Sequence, residues 1–108
     1  MSKQYLLSIV VALSLSISFQ SLAQQSPVKV EASQLADNIY MITGQGGNIG
    51  LLTGAEGSFL VDDQFAPLTE KIIEVVKSVG GDVPRVLINT HYHGDHTGGN
   101  EIWVRPER

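Results

Sequence analysis

All three histidines of this chain fall within six residues, His91-Tyr92-His93-Gly94-Asp95-His96. They follow directly on Val86-Leu87-Ile88-Asn89-Thr90 and precede Thr97-Gly98-Gly99-Asn100. The first of these flanking runs is apolar on both faces in its first half, the pattern of a buried strand. A fold that accommodates this segment must set a rigid strand beneath a polar, glycine-flanked loop. Two residues apart in extended chain, His91 and His93 point the same way and lie about 6.6 Å apart. Both imidazoles can then reach one ion, since zinc–nitrogen bonds are only ~2.0–2.1 Å. Asp95 and His96, beyond Gly94, leave the line of the strand and can aim at a second ion nearby. The bland alternative is a solvated loop. The gathering of every histidine with Asp95 at a strand end argues for a metal site instead.

The chain has no cysteine, which excludes a thiolate nucleophile, a disulfide framework and cysteine-ligated zinc. The remaining donors are nitrogen and carboxylate, a set that suits zinc and also iron or manganese. Asp62 ends an earlier strand and can accept a hydrogen bond from the outer nitrogen of a ligating histidine, fixing its tautomer and orientation. Asp63 competes for this role, but strand alternation sends one of the two away. Tyr92 reads as packing or rim, and Trp103 as packing. Gly44-Gln45-Gly46-Gly47 lacks the Lys-Ser/Thr that a phosphate loop requires, and reads as a hairpin tip that can hang over the site. A net charge of −4 argues against nucleic acid, whose partners carry a basic face.

The order of elements follows from periodicity. Asn38–Thr43, Asn48–Thr53 and Ser58–Asp62 read as three strands of an antiparallel meander joined by glycine turns. Val28-Lys29-Val30 alternates, but is short. From Pro67 the period changes: Leu68, Ile72, Val75, Val76 and Val79 recur at helical spacing, with Glu70, Lys71, Glu74 and Lys77 largely opposite. Gly80-Gly81 ends this helix as a left-handed cap would. A helix between two strands is a crossover that covers one face of a sheet.

The first residues read as an export signal. Lys3 precedes an apolar run from Leu6 to Phe19, and Ser21-Leu22-Ala23 offers small residues for cleavage. The run is shorter than the ~20 residues that span a bilayer, so no stable membrane span is expected once residues 1–23 are removed. The expected location is periplasmic or secreted. Residues 24–37 then form a linker with a short strand, and residues 38–108 a single partial domain.

The stretch Thr90-His91-Tyr92-His93-Gly94-Asp95-His96-Thr97-Gly98-Gly99 resembles the H-x-H-x-D-H signature of the metallo-β-lactamase-fold hydrolases. Ile49 to Asp62, with its glycine turn and its ending Phe59-Leu60-Val61-Asp62, is similar to the start of that domain. The resemblance covers roughly Ile39 to Asn100. It implies an α/β (α+β) fold, the N-terminal half of an αββα sandwich with a mixed sheet and one crossover helix. It also implies one or two zinc ions. His91 and His93 would hold the first, Asp95 and His96 the second. Asp62 would be the family's outer carboxylate. Asp95 would also be catalytic, orienting metal-bound hydroxide toward an ester, lactone, thioester or β-lactam bond of a small-molecule substrate.

The family takes further ligands, another His, an Asp and a last His, from later in its chain. All three histidines here are already assigned. The expectation is a truncated or frameshifted N-terminal fragment, weak in metal affinity and inactive alone, with one apolar sheet face exposed. The tail from Glu101 to Arg108 does not read as the helix that normally begins there. The alternatives are a non-catalytic gene product with weak metal binding and a small periplasmic metal-binding protein.

Overall fold

A computed structural model describes residues 27–104. The expected signal at residues 1–23, residues 24–26 of the linker and residues 105–108 of the tail lie outside the described residues. Among the described residues, five strands form one sheet in sequence order: β1 (Glu31–Ala36), β2 (Ile39–Thr43), β3 (Ile49–Leu52), β4 (Ser58–Val61) and β5 (Pro84–Ile88). The first four are antiparallel neighbours, and β5 joins β4 in parallel. The β4–β5 connection runs through a 3₁₀ turn (Ala66–Leu68) and helix α1 (Thr69–Ser78). Two single-turn helices follow β5, α2 (Gly94–Thr97) and α3 (Asn100–Trp103). This is the mixed sheet with one crossover helix that the sequence implies.

Register divides the sheet into two faces. Leu51 stands opposite Leu60, and Leu60 opposite Leu87. With Ile42 and Ile49 these side chains meet Leu68, Ile72, Ile73 and Val76 of the crossover, and Trp103 closes the same core. Burying each large aliphatic side chain here stabilises the fold by roughly 1.5–3 kcal/mol. The helix stops where its sequence says it should. Gly80 has a φ of 86°, its N–H donates to Lys77 O, and Gly81 N–H donates to Val76 O, the paired bonds of a Schellman cap.

Three readings change. The first strand is Glu31–Ala36 rather than the alternating Val28–Val30, whose valines instead pack against the core edge. β5 is not a buried strand: it is the sheet edge, with Val86 37% and Ile88 54% exposed. Its doubly apolar pattern suits a sheet covered on both faces, and among the described residues only the Leu87 face is covered. The tail forms one helical turn, Asn100–Trp103. Its start is set by Gly99, whose carbonyl accepts from Ile102 and Trp103.

Candidate metal centre

The site grows from the adjacent ends of β4 and β5. Asp62 leaves β4 with a left-handed φ of 65°, a conformation uncommon outside glycine. Its own N–H is bonded to Ile88 O of β5 at 2.8 Å. This turn brings the buried carboxylate under the histidine loop. Asp62 Oδ1 accepts from Thr90 N–H at 2.8 Å, and Oδ2 accepts from the Thr90 hydroxyl and from His96 Nδ1, both at 2.7 Å. Burial pushes the Asp62 carboxyl up. The His96 and Thr90 hydrogen bonds, with the His96 charge, outweigh it and hold the group below its ordinary value. Asp63 faces the other way and accepts from Gly99 N–H at 3.0 Å. Its carboxyl is pushed up to about 6 by burial, against the Gly99 bond, with the Asp62 charge adding to the rise.

The hydrogen bonds fix which ring nitrogens are free. Thr90 gives its hydroxyl proton to Asp62, so its oxygen accepts from His91 Nδ1–H, 2.9 Å away. The lone pair of His91 is then on Nε2. His96 likewise spends its Nδ1–H on Asp62 and keeps Nε2 open. Asp62 therefore sets the tautomer of two histidines, one directly and one through Thr90. His93 caps the single-turn helix α2 in extended conformation (φ −60°, ψ 144°), and that turn swings Asp95 and His96 off the strand line.

The ligand-type atoms meet in two pairs. His91 Nε2 lies 3.1 Å from His93 Nδ1, and His96 Nε2 lies 3.4 Å from Asp95 Oδ2. Two ligands sharing one zinc at ~2.0–2.1 Å with a near-tetrahedral angle stand about 3.3 Å apart. Both pairs fit that spacing. The ring centroids of His91 and His96 are 4.0 Å apart, so the pairs adjoin. Among the described residues no three His, Asp or Glu side chains form one group that could hold an ion. Each pair thus brings two ligand-type atoms together, fewer than the three protein ligands of a catalytic zinc.

Three features were missed by reading the sequence. Thr90 relays Asp62 to His91. Asn89 and Asn100 exchange side-chain hydrogen bonds of 3.1 and 2.6 Å across the loop, and Asn89 also donates to His96 O. Gln64, buried and left-handed, donates to Gly47 O at 2.6 Å. The asparagines carry a signal in retrospect, since they stand on either side of the motif. Gln64 carries none. Tyr92, 85% exposed, is at the rim, and Trp103 is in the core.

A family model described as the metallo-beta-lactamase superfamily matches residues 42–107, more than half of the chain. The chain belongs to the metallo-beta-lactamase superfamily. No curated protein matches it. Among solved structures, a subclass B3 metallo-beta-lactamase of Bradyrhizobium japonicum is 32% identical, with a TM-score of 0.61 over 68% of this chain and 28% of that one. The metallo-beta-lactamase of Legionella gormanii shares the fold at 21% identity and a TM-score of 0.64, over 73% of this chain and 31% of that one. A class B3 di-zinc metallo-beta-lactamase from an Alaskan soil metagenome does so at 24% identity and a TM-score of 0.62, over 68% and 28%. The chain thus spans less than a third of each of these relatives. Within the superfamily fold, the two donor pairs lie at the C-terminal ends of β4 and β5, on loops that the sheet holds rigid.

Proposed function

We propose that this chain is the metal-binding N-terminal portion of an exported hydrolase that acts on an ester, lactone, thioester or β-lactam bond of a small molecule. One observation carries the reading. Two pairs of ligand-type atoms stand at ligand spacing, with His91 and His96 held in the required tautomer by one buried carboxylate. In this reading His91 and His93 hold one zinc ion, Asp95 and His96 hold a second, and iron or manganese can replace zinc. Asp62 holds the ligands rather than the metal. When bound, such an ion supplies a Lewis acid and a water acidified to near neutrality. Asp95, partly exposed beside His96, orients the attacking water, and no serine or cysteine nucleophile takes part.

A catalytic zinc takes three protein ligands and keeps a fourth position open. The described residues give two per ion, so turnover depends on donors from outside them. That observation favours weak metal binding without turnover for residues 27–104 by themselves. It equally fits a small metal-binding protein that pools two copies of the motif. Export places the activity in the periplasm or outside the cell.

Metal titration followed by hydrolysis assays tests the proposal. The full chain is expected to bind zinc, and His93→Ala to weaken that binding at least tenfold, about 1.4 kcal/mol or more. A longer form carrying further His and Asp ligands is expected to hydrolyse a nitrocefin, thioester or lactone substrate. Zinc affinity unchanged by His93→Ala would rule out the ligand assignment. A longer form that binds zinc but turns over none of these bonds would rule out the hydrolase.

A further inference from the structure

The segment Gly44–Gly47 lies directly on the candidate ligands. A Cβ on Gly47 would overlap the Cε1, Nε2 and Nδ1 atoms of the His96 ring. A Cβ on Gly46, whose φ is 107°, would come within 2.7 Å of Asp95 Cβ and 3.1 Å of Phe65 Cε2. Bare backbone therefore rests on the face of one imidazole and on the stem of one carboxylate. The edge of the same ring is held at Nδ1 by Asp62.

What holds the segment there is Gln64. Its side chain is fully buried, and Nε2 donates to Gly47 O at 2.6 Å across seventeen positions of sequence. Its Oε1 is buried with no hydrogen-bond partner among the described residues and lies 2.6 Å from where a Cβ on Gly44 would sit. Both ends of the glycine segment are thus shaped around one amide. Gln64 itself takes a φ of 58°, a left-handed conformation that persists only where the surroundings over-determine it. A neutral donor is required at this depth, because a buried ammonium would need a counter-charge.

We propose that Gln64 is a positioning residue. By gripping the Gly47 carbonyl it fixes the Gly44–Gly47 segment as a roof over His96 and Asp95. The roof clamps the ring by its face while Asp62 clamps it by its edge, so that Nε2 is pre-aimed beside Asp95. The roof also closes one side of this donor pair, which leaves approach from the side of His91 and His93. The consequence for metal rests on the ligand assignment above, whereas the roof itself does not.

Proton NMR of the full, metal-free chain at pH 7.5 tests the two separately. A Gly47 Hα proton over an imidazole face is displaced upfield by the ring current. Gln64→Met is expected to abolish that displacement while the buried methyl signals of Ile42 and Leu60 persist. Titration with zinc chloride is expected to show affinity reduced about tenfold, the lower range for loss of a ligand's supporting contacts. Gly47→Ala keeps Gln64 intact and is expected to weaken zinc binding by crowding the His96 ring, which tests the roof contact; Gln64→Leu tests the grip of Gln64 if Gln64→Met fails to fold. An undisplaced Gly47 Hα in the unaltered chain overturns the proposal. So does a displacement that survives Gln64→Met, or zinc affinity unchanged in Gly47→Ala. Absence of zinc binding in the unaltered chain would remove the ligand assignment and leave the roof to stand on the NMR signature.

Discussion

Asp62 and Asp63 are neighbours in the chain and opposites in environment. Asp62 is held below its ordinary value, so its contribution to stability is present above the usual carboxylate range and is lost as pH falls through its lowered value. Asp63 is pushed from 3.8 up to about 6, so the native state binds its proton more readily than the unfolded chain does. Its contribution is complete below pH 3.8 and is lost as pH rises through about 6. The loss amounts to about 3 kcal/mol at neutral pH, taking 1.36 kcal/mol per unit. Asp63 Oδ2 and Thr69 Oγ1 are both buried without a partner among the described residues, beside Gly99. An uncharged side chain therefore suits this position better than a carboxylate at pH 7. Asp63→Asn keeps an acceptor for Gly99 N–H and removes the charge. The expected outcome is a variant more stable than the unaltered chain at pH 7.5, with the gain shrinking to about half at pH 5 and vanishing as pH falls below 3.8. Urea denaturation across that range measures the difference, and parallel pH profiles for the two proteins would contradict it. Asp62 could be singled out from sequence as the site carboxylate because a carboxylate ends the strand. The choice of Asp62 over Asp63 rested on the family resemblance, whereas the left-handed turn that aims Asp62 at the site is encoded by no periodicity.

Elements were readable in proportion to how strongly local chemistry determined them. The crossover helix carries its own start, period and stop, and it forms over Thr69–Ser78 with Ile72 and Val76 inward and Glu70, Lys71 and Glu74 outward. Ile72→Ala removes a side chain that is 0% exposed at the centre of the helix–sheet contact. It is expected to lower stability by about 2–5 kcal/mol. Glu74→Ala, on the solvent face, is expected to stay within about 0.5 kcal/mol of the unaltered chain. Chemical denaturation with an unchanged slope checks both, and equal effects would sink the assignment of faces. β1 was the element hardest to see. Its sequence Glu-Ala-Ser-Gln-Leu-Ala alternates poorly, because most of the strand is exposed and its pairing with β2 rests on backbone bonds. A bulge between Gln34 and Ala36 breaks its register further. The site loop shows the same division. The ligand-type residues were visible as a cluster, whereas Thr90, Gln64 and the Asn89–Asn100 pair act through contacts that only the folded chain creates.

At the scale of the whole molecule, the faces of the sheet are unequal. The register sets Ile39 opposite Leu52, Leu52 opposite Phe59, and Phe59 opposite Val86; it likewise sets Val61 opposite Ile88. These residues form a second apolar face, turned away from α1. Ile39 is 46%, Leu52 42% and Ile88 54% exposed. A cavity of about 350 Å³ opens on this face against Ile39, Leu52, Phe59, Val61 and Ile88, and none of the three histidines lines it. A contiguous apolar surface of this kind marks an interaction site or an aggregation liability, and the edge of β5, unpaired among the described residues, adds to the second hazard. The chain by itself is therefore expected to bind a hydrophobic dye and to associate as its concentration rises. Leu52→Lys with Ile88→Lys puts two charges on the exposed face and leaves the core of Ile42, Leu51, Leu60 and Ile72 untouched. The double variant is expected to lose most of the dye signal and to sediment as a monomer, with the far-ultraviolet circular dichroism of the unaltered chain. Zinc affinity is expected to be unchanged, since both side chains line the cavity on the second face, which no histidine lines. If the unaltered chain is already monomeric and dye-silent, the second face is covered in solution, and the doubly apolar pattern of β5 is satisfied within the chain itself.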